Sequence, residues 1–349
     1  MKPFALLAAV NEGVSLNTYF NGNSYRTFPG ITETVSNYGG ENLGYVNLYT
    51  EQSSNTVYMD LQTKLGAQKI AETARQAGVD DSSLDGSNPF TVLGNNGLTL
   101  KDMTQGYATL ANQGNKPTLH IVAQVQTANG TDLYNAPTSA EQTFEANNAN
   151  LVTKALTGVV QRGTATEARA TGHTIAGKSG TANDSNAASF IGYTPSMLTS
   201  VAMWYPDANG NPQEIPAFGS WTGGSGYPVH LFTEYMKQAL ADTPNETFPD
   251  ATDNGKVGGP DGTWGTGAQK TWTRKQQTTV TPRTEENTQQ TTPNQTEETQ
   301  NTGQGGGDGG NSGGIPANGD GNDANGGNGG GTSGDNSGNN GANGDTSQQ

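Results

Sequence analysis

Three short apolar runs in succession limit the fold of this chain more than any other feature. Residues 174–181, 188–193 and 198–205 are rich in β-branched or aromatic residues, and short polar stretches join them. Such connections are too short for a parallel crossover, so the spacing predicts three antiparallel strands in a meander. Residues 230–241 place Phe232, Tyr235, Met236 and Leu240 at helical spacing, which predicts a helix covering one sheet face. Trp204 and Tyr205, at the end of the third run, are expected in the core.

Helical signals precede the sheet. Residues 1–13 predict a helix closed by Gly13. Pro3 belongs in a first turn, so that helix should begin at or just before Met1, with an apolar stripe of Leu6, Ala9 and Val10. Ser53-Ser54-Asn55 stand before Tyr58, Leu61 and Leu65, where hydroxyls and amides are ordinary caps. Further helices are expected at 67–77, closed by Gly78, and at 150–162, stopped by Gly163. Thr99 with Asp102 reads as a capping box for a helix with Leu100, Met103, Tyr107 and Leu110 buried. Residues 121–126 and 131–134 flank Asn129-Gly130, a hairpin signal. Residues 14–50 and 80–97 read as loops. The sum is an α+β domain, an antiparallel sheet flanked by helices.

Composition sets the domain boundary. The chain has 349 residues, and hardly an aliphatic residue follows position 250, where Gly, Asn, Thr, Gln and Asp take over. Such a segment buries too little surface to offset chain entropy. We therefore expect one globular domain over 1–249 and a disordered low-complexity tail over 250–349. A formal charge of −15 argues against a nucleic-acid partner. With no cysteine, disulfides, thiolate catalysis and cysteine-ligated metals are excluded. His120, His173 and His230 lack ligand spacing and read as structural or solvated. No apolar run approaches the twenty or so residues of a membrane span.

The first strand of the meander also carries chemistry. Alternation puts Lys178 and Gly180 on one face and Ser179 and Thr181 on the other. Gly180 leaves room for a ligand's backbone along the strand edge. A cation beside hydroxyls and free N–H groups suits a carboxylate and a developing oxyanion. Alone, the stretch also fits a glycine-rich strand end with one solvated lysine.

Its neighbours turn this into a resemblance. Lys2 on a helix, Ser53-Ser54-Asn55 opening another and Lys178-Ser179-Gly180-Thr181 on a strand resemble the transpeptidase domain of class A penicillin-binding proteins. That family carries S-x-x-K, S-x-N and K-[ST]-G signatures. Asn37-Tyr38-Gly39-Gly40, residues 107–114, Arg162-Gly163-Thr164-Ala165 and residues 190–195 extend the similarity over roughly 1–249.

One departure stands out. The lysine of the first signature aligns with Lys2, so its serine falls three residues earlier, before Met1. The family's first two sheet strands, glycosyltransferase domain and membrane anchor also lie upstream, so the sequence resembles a C-terminal fragment with an open sheet edge. The resemblance implies a D,D-transpeptidase that crosslinks peptidoglycan stem peptides ending in D-Ala-D-Ala, is acylated by β-lactams, needs no cofactor and works at the outer face of the bacterial membrane. It implies Lys2 as base, Ser53 as proton relay and Asn55 as substrate or lysine partner. Lys178 keeps the site electropositive, Ser179 and Thr181 hold the carboxylate, Gly180 belongs to the substrate-binding edge, and the Thr181 N–H is half of the oxyanion hole. Without the serine, little turnover is expected. A non-catalytic stem-peptide or wall-binding module with a spacer tail is the alternative, and a serine β-lactamase relative a weaker one.

Overall fold

The computed structural model describes residues 1–49, 51–182, 185–217, 219 and 225–259. Helix α1 (Lys2–Asn11) comes first, followed by the paired short strands β1 (Tyr19–Asn21) and β2 (Tyr45–Asn47). Helices α2 (Asn55–Leu65), α3 (Ala67–Gln76) and α4 (Leu100–Ala111) follow. Next are β3 (Asn115–Pro117), the hairpin β4 (Gln124–Gln126) and β5 (Asp132–Asn135), and β6 (Ala140–Gln142), which pairs with β3. Helix α5 (Ala146–Gln161) leads into β7 (Ala176–Thr181), β8 (Ala187–Tyr193), β9 (Leu198–Pro206) and β10 (Pro212–Gln213), and α6 (Tyr227–Ala239) follows them.

The expected meander is present. β7 pairs with β8 and β8 with β9, all antiparallel, in the spatial order β10-β9-β8-β7. β7 is an edge strand. At the opposite side β10 covers only the last two residues of β9, so among the described residues 198–204 have no strand on their outer edge.

Register decides which core each residue joins. Ala176, Tyr193 and Leu198 lie side by side, as do Lys178, Ile191 and Ser200, and they face a large core built on α1–α5. Ser179, Phe190 and Val201 share the other face, where Phe190 meets Phe232 of α6 edge-on at 4.8 Å. Gly177 and Gly192 are paired directly on that face. A Cβ on Gly177 would come within 2.5 Å of the Phe190 ring, and one on Gly192 within 2.8 Å of Phe232. The two absent side chains are the space the rings occupy.

Helix α1 departs from its expected stripe. Residues 3–10 are all buried, so it runs through the protein with no solvent face. Its nearly continuous apolar sequence requires this, because a helix apolar all round can only be stable inside. Two other stripes are rotated. Leu100 is exposed while Asp102, Gly106 and Thr109 are buried with Tyr107 and Leu110, and Tyr235 of α6 faces solvent. Thr99 caps α4 through Asp102 N, as the capping box predicts.

The expectation for Trp204 and Tyr205 is corrected. They are 69% and 50% exposed. β9 is nine residues long and its last residues run out beyond the helices packed on its middle, so the aromatic pair projects past the core. The packed chain also continues past residue 250. Asp253 Oδ2 accepts from Ser15 Oγ at 2.8 Å and Leu16 N at 3.0 Å, and Lys256 exchanges backbone bonds with Gly13 and Ser15. The boundary read at 249 thus cuts into a packed segment that reaches Gly259, and the remaining expectation of a disordered tail lies outside the described residues.

Candidate active site

The buried α1 carries Lys2 in its first turn, on a support that cannot shift without disturbing the core. Lys2 Nζ donates to Ser53 O at 2.6 Å and Asn55 Oδ1 at 2.8 Å, and lies 3.0 Å from Ser53 Oγ. Burial, and secondly the Lys178 charge, hold Lys2 well below the usual lysine pKa. These three partners suit the lysine in either protonation state: an ammonium donates to all three, and a neutral amine donates to the two carbonyl-type oxygens and accepts the Ser53 hydroxyl hydrogen. Beneath it the ring of Tyr58 sits 5.3 Å from Nζ, and burial raises that phenol's pKa.

The turn that meets Lys2 divides capping and contact between its residues. Ser54 is the N-cap of α2, its Oγ accepting from Val57 N at 3.2 Å. Ser53 and Asn55 on either side are left to face Lys2. This requires Ser53 to adopt φ +59, the left-handed region that costs a non-glycine residue energy. Asn37 holds the turn in place. Its Oδ1 accepts from Ser54 Oγ at 2.9 Å and more weakly from Thr56, and its Nδ2 donates to Gly22 O and Glu41 O. Gly39, at φ +64, lets the chain double back just after Asn37. Asn55 Nδ2 donates to Ser36 O, so the same loop steadies both ends of the turn.

The opposing wall is β7. Lys178 is 9% exposed, and burial pushes its pKa down to about 8. Its Nζ donates to Ser179 O at 2.8 Å. Ser179 Oγ lies 2.7 Å from Thr164 Oγ1, in the turn that follows α5. Gly180 is half-buried and Thr181 exposed, so the strand opens to solvent towards its end.

The structure therefore joins Lys2, Ser53 and Asn55 directly, and puts Lys178 close enough for its charge to act on Lys2. Ser179, Gly180 and Thr181 continue along the same edge strand. In the sequence, Asn37 and Thr164 stand only within stretches that resemble the family, 37–40 and 162–165, and neither they nor Glu51 have an individual role there. The 6% exposure of Asn37, with both amide atoms bonded, marks it as the hub of its loop.

Residues 1–214 match the penicillin binding protein transpeptidase domain. The chain belongs to the penicillin-binding protein transpeptidase family. Among its curated relatives is penicillin-binding protein 1A of Mycobacterium tuberculosis, a class A protein, 34% identical over 288 residues that cover 74% of this chain. The chain spans about a third of the length of the curated relatives it matches, 34% in that case. The PonA1 protein from Mycobacterium tuberculosis, solved in complex with penicillin V, is 32% identical with a TM-score of 0.60, over 74% of this chain and 72% of that one. Penicillin-binding protein 1A from Haemophilus influenzae shares the fold at 21% identity and a TM-score of 0.62, over 71% of this chain and 42% of the other. Among the described residues of this transpeptidase-family chain, no helix is long and apolar enough to cross a membrane.

Proposed function

We propose that this chain is the greater part of a D,D-transpeptidase site that crosslinks peptidoglycan stem peptides through an acyl-serine intermediate. The observation that carries the reading is the meeting of Lys2, Ser53 and Asn55, residues more than fifty positions apart, opposite a second buried lysine. In this reading the nucleophile is a serine three residues before Lys2, outside the sequence, one helical turn from the amine. Its hydroxyl attacks the carbonyl of the penultimate D-alanine while Lys2, whose pKa burial lowers, takes the proton. The C–N bond breaks, and Ser53, bonded to Lys2, passes a proton to the departing D-alanine amine. An acceptor amine then attacks the ester and restores the serine.

Asn55 holds the substrate backbone or steadies Lys2. Lys178, Ser179 and Thr181 receive the terminal carboxylate, and Gly180 lets the peptide lie against the strand. Thr181 N–H supplies half of the oxyanion hole. A donor of that kind is worth roughly 3 kcal/mol of barrier, and the other half belongs to the absent serine. In this reading the partners of the site are stem peptides and β-lactams.

A labelled penicillin tests this. The 349-residue chain should form no covalent adduct, whereas a version extended upstream through an S-x-x-K serine should be acylated. An adduct on the short chain would show that the nucleophile is misplaced. An inert extended chain would leave a non-catalytic binding module as the better account.

A further inference from the structure

The two walls of the cleft belong to separate elements, and among the described residues the turn at 162–165 touches both. On one side it meets Glu51, two residues before Ser53. Arg162 Nη2 lies 2.5 Å from Glu51 Oε1, but the arginine side chain is 69% exposed, so this ion pair is a weak tether. The firmer contact is at Gly163, where a Cβ would come within 2.5 Å of Glu51 O and 2.6 Å of its Cβ. Gly158, near the end of α5, meets the Glu51 side chain at 2.9 Å in the same sense. On the other side, Thr164 Oγ1 is 2.7 Å from Ser179 Oγ.

We propose that Thr164 is a positioning residue that orients the Ser179 hydroxyl towards a ligand carboxylate, with Gly163 fixing its height against the Ser53 wall. This rests on the reading of the cleft given above. Two hydroxyls in contact share one hydrogen between them, and either can donate. A carboxylate is an acceptor only, so its arrival selects the arrangement in which Thr164 donates to Ser179 and Ser179 donates to the ligand. In that chain each bond polarises the next. A threonine that merely tied the loop to the strand would show no preference for charged ligands.

The discriminating measurement is binding of a peptide ending in D-Ala-D-Ala, and of the same peptide as its C-terminal amide, to the 349-residue chain by NMR titration. Thr164→Val should weaken the carboxylate peptide by about tenfold and leave the amide within about twofold, because only the former uses a charge-assisted bond. Thr164→Ser should keep the parental preference. In a Ser179→Ala background, Thr164→Val should add nothing, which holds even if the valine shifts stability slightly. Equal losses for both peptides, or none for either, would overturn the role of Thr164. A parent chain that binds neither peptide would instead remove the reading of the cleft on which the role depends.

Discussion

Lys2 and Lys178 share one cleft, and the pKa of each is lowered. Burial brings Lys178 to about 8, and burial together with the like charge of Lys178 holds Lys2 well below the usual lysine value. In the proposed reaction Lys178 is the cation that meets a carboxylate, and Lys2 the base. The sign of the stability effect follows. An amine whose folded pKa lies below its unfolded 10.5 holds its proton less tightly when folded, so its cost is complete below pH 8 and fades as pH rises. Stability should increase from about pH 5, where the buried Met1 amine begins to lose its proton in the folded chain, to about pH 10, with the Lys178 share coming above about pH 8. Above that it should fall, because Tyr58, Tyr107 and Tyr193 are raised by burial and ionise more readily in the unfolded chain. Lys178→Met should stabilise the protein by roughly 2 kcal/mol at pH 7 in urea unfolding and flatten the rise. It should also raise the Lys2 pKa, read from the lysine Nζ signal by ¹⁵N NMR. An unchanged Lys2 pKa would mean that the two amines do not interact.

Strand β7 shows that neighbouring glycines can serve opposite ends. Gly177 faces the aromatic pair beneath α6, where an added Cβ meets Phe190 and the Ile191 carbonyl. Gly177→Ala should therefore destabilise by about 2 kcal/mol, as overpacking of a filled core does. Gly180 is on the cleft face, where a Cβ meets only Ser189 Oγ, a hydroxyl free to rotate. Gly180→Ala should cost within about 0.5 kcal/mol, yet it should weaken binding of a D-Ala-D-Ala peptide by crowding its backbone. Urea unfolding and peptide titration on the two variants separate the effects, and an equal stability loss in both would refute the division. The sequence shows that both are strand glycines. It does not show which core each one faces, because that depends on the pairing of Gly177 with Gly192 and on where α6 lands.

At the scale of the whole molecule, the chain beyond 250 is clamped to the loop that follows α1. Asp253 accepts two bonds from Ser15 and Leu16, and Lys256 extends the contact. A chain ended at 249 should melt several degrees below the full one, as expected for losing charge-assisted bonds worth roughly 2–3 kcal/mol together. A chain ended at 259 should melt with the full-length protein, and scanning calorimetry distinguishes the two. Composition misplaced this boundary because single polar side chains, Asp253 above all, do the holding, and hydropathy cannot register them. Local pattern did determine the helices, the capping of α4 by Thr99 and the antiparallel order of β7, β8 and β9. Each of these follows from residues a few positions apart. The resemblance put Lys2, Ser53 and Asn55 in one site, and tertiary structure alone decided how they touch, that Asn37 and Thr164 contact the two walls, and that Trp204 stands in solvent. Those outcomes depend on long-range packing that brings distant segments within hydrogen-bond reach, and no local periodicity encodes that distance.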